Sequence, residues 1–204
     1  MLLEAQQISF RYGNRGQWLF ENLNFCIEEG ARIGLVAPSG TGKSTLIKVL
    51  ANHAKPARGR VLLDGKPLPR RGVSPVQLVY QHPEEAINPR WRMKQVLMEA
   101  RMFNDEIMRG MGIEPEWLER FPRELSGGEL QRFCIIRSLA AGTRFLLADE
   151  ISTMLDVITQ AQIWELVLRE TERRNLGLLV VTHNVLLARR LCNSIVSLQD
   201  LCGG

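Results

Sequence analysis

Three short stretches of this chain carry side chains whose types and spacing suit the handling of a triphosphate. The first, Ala37-Pro38-Ser39-Gly40-Thr41-Gly42-Lys43-Ser44-Thr45, fits the pattern GxxxxGK[ST] from its second position onward. Glycines at Gly40 and Gly42 let backbone N–H groups close on phosphate oxygens at a helix N-terminus. There Lys43 bridges the β and γ phosphates and the Ser44 hydroxyl ligates Mg²⁺. Ser39 to Thr45 are therefore the candidate ATP contacts. Ala37 stands where the pattern ordinarily has glycine, which costs about 1 kcal/mol if the position needs a positive φ and little if it does not. In the second stretch, Leu146-Leu147-Ala148-Asp149-Glu150, two carboxylates leave the carboxyl end of an apolar strand, where ligands collect in open α/β sheets. Asp149 reads as a partner of Mg²⁺, commonly through water, and Glu150 as the general base that polarises an attacking water. The third, Leu125-Ser126-Gly127-Gly128-Glu129-Leu130-Gln131-Arg132, is a second glycine turn opening a helix. Ser126 can cap that helix, and the paired glycines leave N–H groups bare enough to approach an anion.

The elements that must position these residues follow from periodicity. Residues Leu2 to Ile33 alternate apolar and polar and break at Gly13, Gly16 and Gly30, which predicts short antiparallel strands. Ile33 to Val36 is a buried strand feeding the phosphate loop, with a helix from about Ser44 to Asn52 behind it. Arg60 to Lys66 reads as a strand ending in an Asp-Gly turn, and Gln77 to Tyr80 as another strand. From Trp91 to Arg120 the pattern turns helical, with Met93, Val96, Leu97, Ala100 and Met102 to Phe103 at three-to-four spacing before a turn around Gly110 to Pro115. Strands at Phe145 to Ala148, Leu178 to Thr182 and Ile195 to Leu198 then alternate with helices near Gln160 to Arg173 and Val185 to Cys192. Trp164, Val167 and Leu168 on the first of these helices read as core. This alternation predicts a parallel sheet covered on both faces.

At 204 residues the chain has room for one substantial core. No apolar run approaches the roughly 20 residues that span a bilayer, and the N-terminus, with Glu4 in it, lacks the pattern of a signal peptide. Cys26, Cys134, Cys192 and Cys202 form no CxxC pair, which points to reduced thiols in the cytoplasm and away from a metal or disulfide framework. A net charge of +4 is spread over dispersed pairs such as Arg70-Arg71, Arg173-Arg174 and Arg189-Arg190. Solvated faces explain these better than a nucleic-acid surface, though some can approach anionic lipid headgroups.

Leu125 to Arg132, lying between the phosphate loop and the acidic strand end, resembles the signature of the ATP-binding cassette (ABC) ATPases, and the resemblance covers nearly the whole chain. It implies an α/β P-loop NTPase core with a parallel sheet flanked by helices, an N-terminal antiparallel β-subdomain and a helical signature subdomain. Residues 1–204 would form a single ABC ATPase domain, with 84–135 as the inserted helical subdomain. By the same resemblance, His183 in Val181-Thr182-His183 is the switch histidine that meets the γ-phosphate and the attacking water. Gln81 is the glutamine that senses Mg²⁺ and water and changes position with a transmembrane partner. Tyr12 stacks on adenine, although alone it reads equally as a strand tyrosine. Asp156 takes the D-loop aspartate position, with Ile151 and Met154 replacing the proline and alanine common around it. The family mechanism acts in trans: Ser126, Gly127 and Gly128 of one subunit close over the γ-phosphate held by the other, so hydrolysis needs a dimer.

Val76 to Arg90 is similar to a stretch of the dipeptide, oligopeptide and nickel importer ATPases, particularly their second ATPase subunit, and Asp156 to Ile163 resembles the same group. The chain ends at Gly204, without the C-terminal extension those ATPases often carry. The implied function is an ATP-hydrolysing subunit of a membrane importer for peptides, nickel or a metal chelate, held at the cytoplasmic face by permease subunits. It would pair with itself or a second ABC ATPase and reach an extracytoplasmic substrate-binding protein only indirectly. His82 to Asn88, just after Gln81, would meet a cytoplasmic helix of the permease. The alternative from another class is a soluble ABC ATPase acting on nucleic acid or ribosomes, but its tandem cassettes, zinc-binding cysteine pairs and long coiled coils are not seen in the sequence. Intact Lys43, Glu150 and His183 oppose a third reading, a catalytically silent ATP-binding partner.

Overall fold

The alternation at the N-terminus becomes two antiparallel strands, β1 (Leu2–Arg11) and β2 (Trp18–Glu28). They are longer than the short strands the glycine breaks predict. Bulges shift the register between Ala5 and Ile8 without ending the pairing, and Gln7 and Asn22 take left-handed backbone, φ +48° and +51°. The other edge of β1 pairs with β4 (Arg58–Leu63), which turns back at Asp64-Gly65 into β5 (Lys66–Pro67). Both turn residues have positive φ, as a tight two-residue hairpin requires. The computed structural model describes residues 1–201 apart from Asn14, Arg15, Ser39, Arg70, Met102, Phe103 and Met154. Expectations resting on Ser39, Arg70, Met102, Phe103, Met154 and Cys202 lie outside the described residues.

The second sheet is parallel throughout. Its strands are β3 (Arg32–Val36), β6 (Val76–Val79), β7 (Phe145–Asp149), β8 (Gly177–Thr182) and β9 (Ser194–Ser197), in the order β6-β7-β8-β3-β9. Both faces are buried, and alternate residues divide between them. Leu146, Ala148, Leu178 and Val180 pack with Phe133, Ile136 and Val167 on one side. Phe145, Leu147, Leu179 and Val181 pack with Leu3, Ile27, Leu46 and Leu50 on the other. Each fully buried side chain of this size contributes about 1.5–3 kcal/mol, so a one-residue slip of β7 or β8 would exchange both sets at once.

Helices α1 (Lys43–Leu50), α4 (Gly127–Ser138), α5 (Val157–Arg173) and α6 (Val185–Leu191) cover these faces, and α7 (Leu198–Leu201) follows β9. The sequence reading had no counterpart for α7. The helical pattern from Trp91 to Arg120 divides into α2 (Met93–Glu99), α3 (Asp105–Gly110) and, past the expected turn around Gly110 to Pro115, a 3₁₀ turn at Pro115–Glu119, so the departure from expectation is the break between α2 and α3. Arg101, at φ +53°, leaves helical backbone after α2, and Asn104 starts α3 by accepting from the N–H groups of Glu106 and Ile107. Helix α5 begins at Val157, ahead of the expected start, because Asp156 caps it. No helix of the described residues is long and apolar enough to cross a membrane.

For the chemistry the strand order matters most. Gln81 follows β6, Asp149 and Glu150 close β7, His183 follows β8, and the phosphate loop follows β3. Four adjacent parallel strands thus deliver the four segments to one edge of the sheet.

Candidate active site

The phosphate loop turns from β3 into α1 through Gly40 and Gly42, at φ +81° and +97°. Gly42 serves as the N-cap of α1 with no side-chain cap, so the first N–H groups of that helix remain directed at the loop. Lys43 is buried, and its ammonium is held by the carbonyl oxygens of Ala37 (2.5 Å) and Pro38 (2.8 Å). Thr41 Oγ1 donates to the Pro38 carbonyl. Ala37 is not among the residues with left-handed backbone, so its methyl group imposes no strain where the pattern has glycine.

A cavity of about 300 Å³ lies against this loop, lined by Tyr12, Gly40, Gly42, Lys43, Ser44, Thr45, Gln81 and Glu150 together with Leu19. Tyr12 stands at the rim. Its hydroxyl pairs with Thr45 Oγ1 (2.8 Å) and its ring meets Phe10 edge-on, which leaves the ring 65% exposed and open to stacking. Asp149 is buried and its Oδ1 has no hydrogen-bond partner. Burial raises its carboxyl above the ordinary range and the charge of Glu150 adds to this, while a hydrogen bond from Ser44 and the charges of Lys48 and Lys43 oppose it. A buried carboxyl with Ser44 beside it and one oxygen left without a donor fits the surroundings of a hard divalent cation.

Glu150 has φ +47°, a conformation that costs a residue with a side chain roughly 1–2 kcal/mol. Its N–H donates to the Val181 carbonyl (3.0 Å), and its Oε1 lies 3.1 Å from Nδ1 of His183. The glutamate is largely buried and the histidine more than half exposed. Strand pairing between β7 and β8 is what brings these two together.

The remaining expected site residues lie apart from this cavity's lining. Ser126 caps α4 in a reciprocal box: its hydroxyl accepts from the Glu129 N–H (3.3 Å) and its own N–H donates to Glu129 Oε2 (2.6 Å). Ser126 and Gly127 are exposed, and Gly128 lies against Leu155. Asp156 accepts from the N–H groups of Ile158 and Thr159 (3.0 Å each). The hydrogen bonds from Thr159 hold its carboxyl below the ordinary range. Ser39 lies outside the described residues.

Two supporting sets escaped the sequence reading. Along α4, Gln131 donates to the Tyr80 carbonyl (3.1 Å), Cys134 to that of Pro83 (3.5 Å) and Arg137 to that of Ala86 (3.1 Å). The signature helix therefore grips the segment around Gln81 with side chains one turn apart. On α5, Gln160 and Trp164 hold the segment after Glu150. A buried tryptophan N–H needs an acceptor, and that was the available signal for the second set.

The family described as "ABC transporter" matches residues 20–153. The nickel import system ATP-binding protein NikE of Staphylococcus aureus (strain MSSA476) is 31% identical over 213 aligned residues, covering 98% of this chain and 87% of that protein. Among solved structures, the ATP binding subunit of an ABC transporter superposes with a TM-score of 0.82 at 24% identity, over 97% of this chain and 85% of that one. A dimeric post-hydrolysis state of an ATP-binding cassette bound to ADP and Pi gives 0.79 at 22% identity, over 96% and 93%. By its family match, by its near-full-length relatives and by a fold shared with these cassettes, this chain belongs to the ABC transporter family, as a P-loop ATPase.

Proposed function

We propose that this chain is the ATP-hydrolysing subunit of a membrane importer, with nickel as the first cargo to test and peptides or metal chelates as the wider class. The observation that carries the reading is the single cavity shared by Tyr12, Lys43, Ser44, Thr45, Gln81 and Glu150, with His183 bonded to Glu150 at its back. Nickel import is the named role of a relative that matches over nearly the whole chain.

In this reading the loop N–H groups and Lys43 bind the triphosphate, Lys43 exchanging the carbonyls of Ala37 and Pro38 for phosphate oxygens. Ser44, Gln81 and Asp149 would hold Mg²⁺, which when bound would supply charge neutralisation for the triphosphate. Glu150 accepts the proton of the attacking water, and His183 keeps the carboxylate oriented and reaches the γ-phosphate. Tyr12 stacks on the adenine. Ser126, Gly127 and Gly128 complete the site of a second subunit, either another copy or a second ABC ATPase, while Asp156 fixes the start of α5 beside that interface.

Residues 84–135 then act as a helical subdomain that follows the permease, with His82 to Asn88 as the docking loop. That loop is tied to α1 by Lys48–Glu85 (3.6 Å) and to α4 by Cys134 and Arg137, so it can pass a displacement to both. Through its permease the chain would sit at the cytoplasmic face of the membrane and serve an extracytoplasmic binding protein indirectly. Coexpression with the permease that copurifies with it, in a host lacking nickel uptake, should restore nickel accumulation, and the Glu150→Gln variant should not. Equal accumulation with both would overturn the reading.

A further inference from the structure

Glu150 sits between two cavities. One is the phosphate-side cavity already described; the other, of about 350 Å³, lies behind it and is lined by Ser152, Gln160, Trp164 and His183, among others. Close packing therefore does not wedge this carboxylate from either side, and its left-handed backbone at φ +47° is not one the residue would keep unaided. Directional bonds must hold it. Upstream, its N–H is fixed by the Val181 carbonyl. Downstream, the N–H and hydroxyl of Thr153 both donate to the Glu150 carbonyl, at 3.2 Å and 3.0 Å.

What keeps that downstream turn in place is Ser152, two residues on and 3% exposed. The indole N–H of Trp164, itself 4% exposed, donates to Ser152 Oγ (3.1 Å). Gln160 Nε2 donates to the Ser152 carbonyl (2.6 Å) and to that of Leu155 (3.1 Å). Leu155 in turn lies against Gly128, where an added Cβ would fall 2.9 Å from its Cδ2. One turn of α5 thus braces a segment that has the catalytic carboxylate at one end and the signature turn at the other.

We infer that Ser152, Gln160 and Trp164 are positioning residues for hydrolysis, whose bonds impose the left-handed turn at Glu150 and so aim its carboxylate at the attacking water. This rests on the reading of Glu150 as general base. The bonds lie away from the phosphate loop, so they bear on turnover and leave ATP binding alone.

The test measures steady-state and single-turnover ATP hydrolysis by the purified full chain. Trp164→Phe removes the N–H while keeping an aromatic ring, and Ser152→Ala removes the acceptor. Each should lower kcat about tenfold, the worth of one well-placed buried hydrogen bond. KM for ATP should stay within about twofold, as expected when only the transition state loses support. Ser152→Thr, which keeps the hydroxyl, should restore kcat. In a Glu150→Gln background, adding Trp164→Phe should lower the rate no further, because the brace then has no base to aim. Wild-type kcat in both Trp164→Phe and Ser152→Ala overturns the inference. So does a loss of the same size in the Glu150→Gln background, which would mean that the residues act through folding. A wild-type rate in Glu150→Gln alone overturns the base assignment itself, an outcome read independently of the brace. Should Trp164→Phe fold poorly, the Ser152→Ala and Ser152→Thr pair carries the same decision.

Discussion

The phosphate loop and the signature turn are both glycine turns that open a helix, and they are held in opposite ways. At the first, Gly42 caps α1 with no side chain, and Lys43 is buried with its ammonium on the loop's own carbonyls. The loop stands at the end of β3, with β8 on one side and β9 on the other, so long-range packing shapes it. At the second, Ser126 and Glu129 satisfy each other's N–H groups, and Ser126 and Gly127 face outward. Local bonds suffice there. A turn finished by its own residues and presented outward is free to complete a site against another molecule, whereas a turn shaped by the strands around it faces a cavity of its own chain. This difference is the physical content of the two-subunit proposal.

The largest expected effect lies on the buried side. Glu150→Gln should slow hydrolysis by about 10² to 10⁴, the usual worth of a positioned general base, with ATP binding retained. Steady-state hydrolysis beside ATP titration decides it, and near-normal turnover would remove the asymmetry between the two turns. Lys43→Ala comes next. Losing charge-assisted bonds worth about 1.5–3 kcal/mol should weaken ATP binding roughly 10- to 100-fold in titration calorimetry. Equal affinity in variant and wild type would mean that Lys43 remains on the carbonyls of Ala37 and Pro38 when nucleotide is bound.

Much of this contrast is legible in the sequence, because the groups proposed to meet phosphate are set by local spacing. Gly40 to Ser44, Asp149 with Glu150, and Ser126 to Gly128 each declare themselves within a few residues. The order of strands is less local, yet the alternation of strands and helices predicts that their ends converge. What the sequence does not display is which side chain reaches across. Gln131 lies inside a recognised motif, but its bond to Tyr80 spans 51 positions. Trp164 reads as core, and it is; nothing in its neighbours says that its N–H meets Ser152. Asp156 is expected at the D-loop position among the nucleotide contacts, and its carboxylate is engaged in starting α5. The break between α2 and α3 is similarly hidden, since apolar spacing continues through Ala100 while Arg101 leaves helical backbone.

A smaller effect tests the outward turn. Ser126→Ala removes the hydroxyl half of the capping box and leaves the Glu129 half, so thermal unfolding should report a loss of about 1 kcal/mol. ATP affinity of the isolated chain should stay the same, while hydrolysis by the assembled pair falls by more than the stability loss explains. A weakened ATP affinity in the isolated chain would mean that the signature serves its own chain's nucleotide, contrary to the contrast drawn here.

The smallest effect bears on the buried turn, at the one position where the phosphate loop departs from its pattern. Ala37 is 6% exposed, and its backbone lies outside the left-handed region. Its carbonyl accepts from the Lys43 ammonium. Glycine at this position gains nothing from a freedom the backbone does not use. It loosens the unfolded chain and removes a buried methyl group, and either change lowers stability. Ala37→Gly should therefore cost about 0.5–1 kcal/mol in denaturant unfolding, with ATP affinity unchanged or slightly reduced. The sign is the informative part: a rise in stability or in affinity would mean that the loop strains against the alanine, and that the fit between packing and loop conformation is looser than the buried lysine indicates.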